Sequence, residues 1–475
     1  FHKNLCEVRV LDPSCGTGNF LYVTLDLMKR LESEVLGLLA DLGETQAPLE
    51  IQGLTVTPAQ FHGLEIKPWA KEIAELVLWI GYLQWQLRSK GDSGVVSEPV
   101  LQEYGNIECR DAVLAYDRRE PVLDEKGRPV VRWDGETTKP SPVTGEPIPD
   151  ESATMKAERY VNPRKAEWPE ADYVVGNPPF IGSKLMRNAL GDGYIDGLQE
   201  AWPEIPQASD FVLRWWHSAA VLAKRGAIRR FGFITTNSIS QAYNRRVLEP
   251  HLDGTTPLSI VFAIPDHPWV DSAEGAAVRV AMTVGAPGSV AGTLRQVVRE
   301  RDSLRDEGNE DLVEELSTQF GRIGPDLRIG PDVGGALALE SNLTLCSVGM
   351  KTIGGGFQIS EARARDLGLG CDPEASAVIR PYLNGRDLAS SSRGIFVIDT
   401  FGMAEAEVRT RVPAVYQHLV DHVRAERLQN RNGVFRQRWW IIGHPRPQFR
   451  EFTAGLSRFI ATIETSKHRF FVFVP

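Results

Sequence analysis

Two adjacent prolines, Pro178 and Pro179, constrain this chain more than any other pair of residues. They close the stretch Asp172-Tyr173-Val174-Val175-Gly176-Asn177-Pro178-Pro179-Phe180, whose apolar run, Tyr173 to Val175, reads as a buried strand. Neither proline can donate a ladder hydrogen bond, so the strand has to stop at Asn177. An amide side chain, two carbonyls without a competing N–H and an aromatic ring are then left together at the carboxyl end of a strand. In open α/β sheets ligands bind in that crevice. These groups suit something flat that carries an amino group, since carbonyl oxygens accept from the amine and the ring stacks on the π-face. Taken alone, Asn-Pro-Pro-Phe also fits a proline turn capped by a buried ring.

A second constraint comes from Pro13-Ser14-Cys15-Gly16-Thr17-Gly18-Asn19-Phe20-Leu21, set between a predicted strand, Glu7–Asp12, and a helical pattern from Phe20 to about Leu39. Strand, glycine turn and helix open a nucleotide-binding α/β fold, with Gly16 and Gly18 admitting sharp dihedrals and close approach of a ligand. Leu21 stands where a dinucleotide fingerprint has its third glycine, which favours a ligand without a pyrophosphate. The acid at the strand tip, Asp12, fits a positively charged ligand such as the ammonium and sulfonium of S-adenosylmethionine. Phe61–Lys67 reads as a second strand ending in an acid, Glu65, where a ribose diol is usually held; Pro68 then starts a helix running to about Arg88. Asn106–Ala112 reads as a third strand with Asp111 just past its end, an acceptor for an adenine amino group.

The rest of the chain bounds the class. At 475 residues more than one domain is expected. No apolar run approaches the ~18 residues of a membrane span. Five scattered cysteines (Cys6, Cys15, Cys109, Cys346, Cys371) without CxxC spacing argue for a reducing compartment, the cytoplasm by default, and against structural zinc, so no metal is expected. Net charge is −9, yet from Ser376 to Pro475 there are 15 Lys and Arg against 8 Asp and Glu. A basic, aromatic-rich last quarter on an acidic chain is the asymmetry expected where one domain meets a phosphate backbone.

Alternating strand and helix patterns through Arg230–Asn237, Ser259–Ile264 and Ala276–Val284 predict an α/β fold, a doubly wound, mostly parallel sheet whose last strands are antiparallel. Residues 118–170 read as a polar excursion with a small hairpin near Lys126-Gly127, and Ile181–Leu198 as a glycine-rich loop able to close over a site. From Gly285 to about Glu340 the pattern degrades into a connector, and a second, α+β domain follows. The chain opens at Phe1 and stops inside the strand-like run Phe470–Pro475, as a fragment of a longer protein would.

With Asp12 to Leu21 and Gly176 to Phe180 in that order, the chain resembles S-adenosylmethionine-dependent DNA N6-adenine methyltransferases, and more closely the MmeI-like single-chain type II restriction-modification group. The resemblance extends through Phe61–Ile66, Leu78–Gly81, Trp168–Asp172, Thr236–Ile239, Gly275–Val280, Pro381–Gly385 and Ile398-Asp399. It implies a methyltransferase domain over 1–290, a connector over 291–340 and a Rossmann-like sheet in the first, with a target-recognition domain over 341–475. Asp12, Pro13, Gly16 and Gly18 would hold the methionine part of S-adenosylmethionine, Glu65 with Ile66 the ribose, and Asp111 with Ala112 the adenine. Asn177 and the Pro178 carbonyl would accept from the target amine, ahead of Pro179, while Phe180 stacks on the flipped base and Trp269 covers its other face. Double-stranded DNA is the implied partner, contacted by Arg436, Arg438 and Arg446 in the stretches 431–440 and 444–450, where cations and aromatics alternate. The family's nuclease signature has no counterpart in these residues, so no cleavage is expected of them.

Overall fold

The computed structural model describes residues 1–43, 54–90, 104–254, 256–270, 278–300, 313–331, 339–342, 345–430, 432–464 and 470–474. They form two units, one of residues 1–122 and 157–336, the other of 123–156 and 337–475.

The first unit is built on nine strands: β1 (Val10–Asp12), β2 (Phe61–Glu65), β3 (Ile107–Cys109), β4 (Tyr173–Gly176), β5 (Arg230–Thr236), β6 (Leu258–Val270), β7 (Val278–Pro287), β8 (Gly292–Glu300) and β9 (Val313–Gly321). They make one sheet in the order β9-β8-β6-β7-β5-β4-β1-β2-β3. The five neighbours from β5 to β3 are parallel, and β7 runs antiparallel to both β5 and β6. Among the described residues seven α-helices accompany it: α1 (His2–Glu7), α2 (Asn19–Asp41), α3 (Pro68–Lys90), α4 (Met186–Leu190), α5 (Asp192–Ala201), α6 (Leu213–Lys224) and α7 (Ala242–Leu252).

Because successive strand residues point to opposite faces, the parallel strands feed two cores. Leu11, Leu64 and Val174 join α5, α6 and α7 residues such as Ile195, Trp216 and Leu248, whereas Val10, Phe61 and Val175 join Leu21, Leu25 and Leu78 from α2 and α3. This is the doubly wound α/β architecture expected. Among the described residues no helix is long and apolar enough to cross a membrane. His2, Cys6 and Glu32 bring ligand atoms within 4.8 Å of one another. Glu32 is already engaged there by Lys29 Nζ at 2.7 Å and the Val56 N–H at 2.9 Å, so the group is a buried ion-pair cluster.

Three stretches differ from expectation, each for a local reason. Ile181–Leu198 is no loop: it contains α4 and α5, and Tyr194, Ile195 and Leu198 are buried. One of the glycines that suggested flexibility serves packing, since a Cβ on Gly193 would lie 1.9 Å from the Glu158 carbonyl oxygen. The expected connector, 291–340, supplies β8 and β9, which lie at the end of the sheet and expose much of their length, so they carry no continuous apolar run. The polar excursion is β structure: Arg118–Pro121 pairs with Glu158–Val161, Val131–Trp133 with Thr154–Lys156, and Thr138–Pro140 with Pro147–Pro149. Its distal part, 123–156, belongs to the second unit.

The second unit holds a three-stranded antiparallel sheet of β10 (Gln358–Ser360), β11 (Ile379–Pro381) and β12 (Ile395–Ile398), with β12 in the middle. Helical residues Val415 and Leu419 pack on it with Phe357, Val397, Trp439 and Ile442, an α+β core.

Candidate active site

The chain passes from β1 outward to β2 and β3, then returns to add β4 and β5 on β1's other side. The crevice between the carboxyl ends of β1 and β4 is therefore the topological switch point of the sheet, where ligands bind in such folds. Asp12 ends β1, and Asn177 directly follows β4. The two tips touch: a Cβ on Gly176 would sit 2.6 Å from Asp12 Oδ1, so only glycine fits there.

On the β1 side the groups are already joined. The Ser14 N–H donates to Asp12 Oδ1 at 2.9 Å, and the Gly16 N–H donates to Glu65 Oε2 at 3.0 Å. The Lys67 N–H donates to the other Glu65 oxygen at 2.8 Å, and Trp215 Nε1–H, on α6, donates to the Pro13 carbonyl at 2.9 Å. Gly16 and Gly18 have φ of 55° and 86°, the left-handed region that makes glycine the residue of choice in this turn. A Cβ on Gly18 would also press on Ala74 of α3 at 3.1 Å. Asp12 is 1 % exposed, and its carboxyl is pushed up to about 7, chiefly by burial and further by the Glu65 charge, against the pull of the Ser14 bonds. The neighbouring Cys15 thiol is pushed far up by burial and by both acids, so it stays protonated and is no nucleophile.

Asp111 lies past the end of β3 with both oxygens occupied. Oδ1 accepts from the Val113 and Leu114 N–H groups at 2.7 and 3.0 Å, and Oδ2 from the Tyr194 hydroxyl at 2.7 Å. Burial and the Asp111 charge push the Tyr194 hydroxyl far up, which keeps it a donor. The Ala112 carbonyl accepts from Trp168 Nε1–H at 2.8 Å, while Ile66, just beyond Glu65, is exposed.

On the β4 side the situation is reversed. Pro178 is buried, Pro179 exposed and Phe180 half-buried. The Pro179 carbonyl is taken by the Ile181 N–H at 3.2 Å. Asn177 Oδ1 is buried and accepts no hydrogen bond from any described residue.

The remaining candidates stand elsewhere. Trp269 is 37 % exposed on β6, past the level at which Thr236 of β5 and His267 of β6 both face Val280 of β7. It thus lies on the same edge as Asn177, but three strand positions from β4, on the order of 14 Å at the ordinary strand spacing; the sheet does not bring the two together. In the second unit Arg438 is exposed and lines a cleft of about 430 Å³ with Phe401, Met403, Gln437 and Trp440. Arg436 Nη1–H donates to the Asn430 carbonyl at 2.5 Å, and Arg446, at a φ of 49°, precedes a helix with its Nε buried and unpartnered. Trp439 is core. Ser14, Tyr194 and Trp215 went unassigned in the sequence. Ser14 sits beside the glycine turn and was open to inference, whereas Tyr194 fell in the stretch read as a loop and Trp215 read as an ordinary apolar helix residue.

Residues 1–296 match the family model described as MmeI, DNA-methyltransferase domain. "DNA methyltransferase A" of Bacillus subtilis (strain 168) is 25% identical over 282 residues, 59% of this chain and 26% of that protein. The solved structure of the type IIL restriction-modification enzyme MmeI in complex with DNA superposes with a TM-score of 0.62 at 20% identity, covering 100% of this chain and 55% of that one. This chain thus spans about a quarter of the first relative and about half of the second. The chain belongs to the MmeI family of DNA methyltransferases, with residues 1–296 forming its methyltransferase domain.

Proposed function

We propose that this chain transfers a methyl group from S-adenosylmethionine to the N6 amine of an adenine flipped out of duplex DNA, as the modification activity of a restriction-modification system. One observation carries this reading: at the switch point, beside a glycine turn and a buried acid, Asn177 offers a buried carbonyl oxygen that nothing among the described residues satisfies. A buried acceptor without a partner costs roughly 1–3 kcal/mol, so its persistence argues for a donor that arrives with the substrate. A planar amine in the crevice is such a donor.

The donor set also fits the methyl carrier. Asp12 would face its ammonium, the backbone around Pro13, Gly16 and Gly18 would wrap its amino-acid part, Glu65 and Ile66 would take the ribose, and Asp111 and Ala112 the adenine. When bound, S-adenosylmethionine supplies an electrophilic methyl group on sulfur. The protein's share is placement. Asn177 Oδ1 and the Pro178 carbonyl accept the two amine hydrogens, which favours a pyramidal nitrogen and frees a lone pair otherwise delocalised into the ring. Phe180 stacks on the extruded base and offsets part of the few kcal/mol lost on unstacking it from the duplex. Holding the amine in line supplies most of the rate; transfer would leave S-adenosylhomocysteine, and the methylated nitrogen would then shed its extra proton to water without a dedicated general base. Arg436, Arg438 and Arg446 would contact the duplex through phosphates or guanine edges. That MmeI was solved with DNA supports this partner.

The test is to incubate the protein with tritiated S-adenosylmethionine and, separately, duplex DNA, RNA and cellular protein. Nucleosides released from the DNA are then separated. Label in N6-methyladenine is the expected result; label in RNA or in protein amides, with none in DNA, would sink the proposal.

A further inference from the structure

Past Asn177 the chain has left the sheet, and the loop that carries Pro178, Pro179 and Phe180 is tied to the segment before α6 by one carboxylate and one backbone hydrogen bond. The Ser183 N–H, three residues beyond Phe180, donates to Asp210 Oδ1 at 3.0 Å, and the Phe211 N–H donates back to the Ile181 carbonyl at 3.0 Å. Asp210 Oδ2 accepts from Ser238 Oγ–H at 2.6 Å and from Asn244 Nδ2–H at 2.8 Å. Asn244, buried on α7, locks the aspartate from both sides, because its Oδ1 accepts the Asp210 N–H at 2.8 Å. Its Nδ2–H also donates to the Ser238 carbonyl at 2.9 Å. Ser238 lies in the turn Asn237–Ser240 that follows β5. The loop after β4, the turn after β5, the segment before α6 and the first turn of α7 therefore all converge on one carboxylate.

We propose that Asp210, oriented by Asn244, is the positioning residue for the amine clamp: it fixes the loop of Pro178 and Phe180 where the acceptor base has to sit, without touching substrate itself. This inference rests on the methyl-transfer reading above. A polar network of this kind is rigid only when every member is satisfied, so changing one partner releases the loop. A misplacement of about 1 Å can cost a hundredfold in rate. Losing the clamp should therefore reduce kcat by about 10- to 100-fold, while the dissociation constant of S-adenosylmethionine, held at the β1 side, changes less than twofold.

The experiment compares wild type, Asp210→Ala, the isosteric Asp210→Asn, and the swap Asp210→Asn with Asn244→Asp, which again sets a donor against an acceptor between positions 210 and 244. Three quantities are measured: kcat on plasmid DNA, the cofactor dissociation constant by calorimetry, and hydrogen–deuterium exchange over residues 181–185. The proposal requires slower turnover at unchanged cofactor affinity, faster exchange over 181–185, and partial recovery of both in the swap. An unchanged kcat overturns it, as does a parallel loss of turnover, cofactor affinity and melting temperature without recovery in the swap, which marks a merely structural network. A wild type that methylates no DNA defeats the methyl-transfer reading instead. Exchange still decides the clamp in that case, since protection over 181–185 that survives Asp210→Ala overturns it.

Discussion

The tips of β1 and β4 face each other across one crevice and treat their polar groups in opposite ways. Around β1 every acid has found a donor within the chain: Asp12 from Ser14, Glu65 from Gly16 and Lys67, Asp111 from Val113, Leu114 and Tyr194. Beyond β4 the amide oxygen of Asn177 is buried and has none among the described residues. The difference teaches that the crevice is organised in halves. One is held in shape by its own hydrogen bonds before anything binds. The other keeps an acceptor open at a cost in stability, and binding there is rewarded only by a ligand that brings a donor.

Removing the open acceptor breaks the comparison most severely. Asn177→Ala should lower methyl transfer by at least on the order of a hundredfold, the usual consequence of losing one preorganised polar contact to the reacting group. Because no partner is stranded, the melting temperature should hold or rise, and cofactor affinity should stay within about twofold. Turnover, calorimetric cofactor binding and a thermal melt on one preparation check all three. Loss of turnover together with cofactor binding would show that Asn177 supports the crevice rather than serving the substrate.

The β1 side is sharpened by pH. With the Asp12 carboxyl pushed up to about 7, the ionised form that suits an ammonium is roughly a tenth of the population at pH 6 and nine tenths at pH 8. Asp12 by itself would raise cofactor affinity about tenfold over that interval, and the ligand's α-ammonium, which loses its proton near pH 8, trims the rise to about fourfold. Stability moves the other way. The folded protein binds this proton more tightly than the unfolded chain, so the associated stabilisation is complete below about pH 4 and is lost as pH rises through 7. Calorimetric titrations at pH 6, 7 and 8 on wild type and Asp12→Asn decide it. The wild-type rise should vanish in the variant, and a rise that persists assigns the titration to another group.

What could be read in the sequence was what is local. The glycine turn, the acids at the ends of β1 and β2 and the prolines after β4 each owe their geometry to residues within a few positions, so order and spacing were enough to locate them. The doubly wound sheet followed from the alternation of strand and helix patterns, and the parallel strands are buried on both faces as that fold requires. What escaped depends on partners far along the chain. Trp215 reaches the Pro13 carbonyl across 202 residues and Tyr194 reaches Asp111 across 83, and no periodicity reports such a bond. Gly193 looked like a loop residue because the strand that demands its small size, Glu158–Val161, lies in a stretch read as a polar excursion with no more than a small hairpin farther up the chain. β8 and β9 were missed for a related reason: strands at a sheet's end are exposed enough to lose the continuous apolar signature.

The smallest effect should come from Tyr194→Phe, which removes one of the internal donors that distinguish the β1 side from the β4 side. The hydroxyl donates to Asp111 Oδ2, the oxygen that would also accept an adenine amine. Two outcomes compete. If the hydroxyl occupied the acceptor at the ligand's expense, the variant would bind the cofactor more tightly. If it orients a carboxylate oxygen that still has a second lone pair, the variant would bind more weakly. The second is expected, because a carboxylate oxygen accepts more than one hydrogen bond. The loss should be only about two- to fivefold, less than the ~1.5–3 kcal/mol that a hydrogen bond to a charged group is worth, because only part of that bond is passed on to the ligand. The Val113 and Leu114 N–H groups, at 2.7 and 3.0 Å, continue to hold the other oxygen and with it the plane of the group. Calorimetry with S-adenosylhomocysteine measures the change. Tighter binding reverses the role assigned to Tyr194, and a loss beyond tenfold means that the hydroxyl, rather than the turn at Val113 and Leu114, is what fixes Asp111.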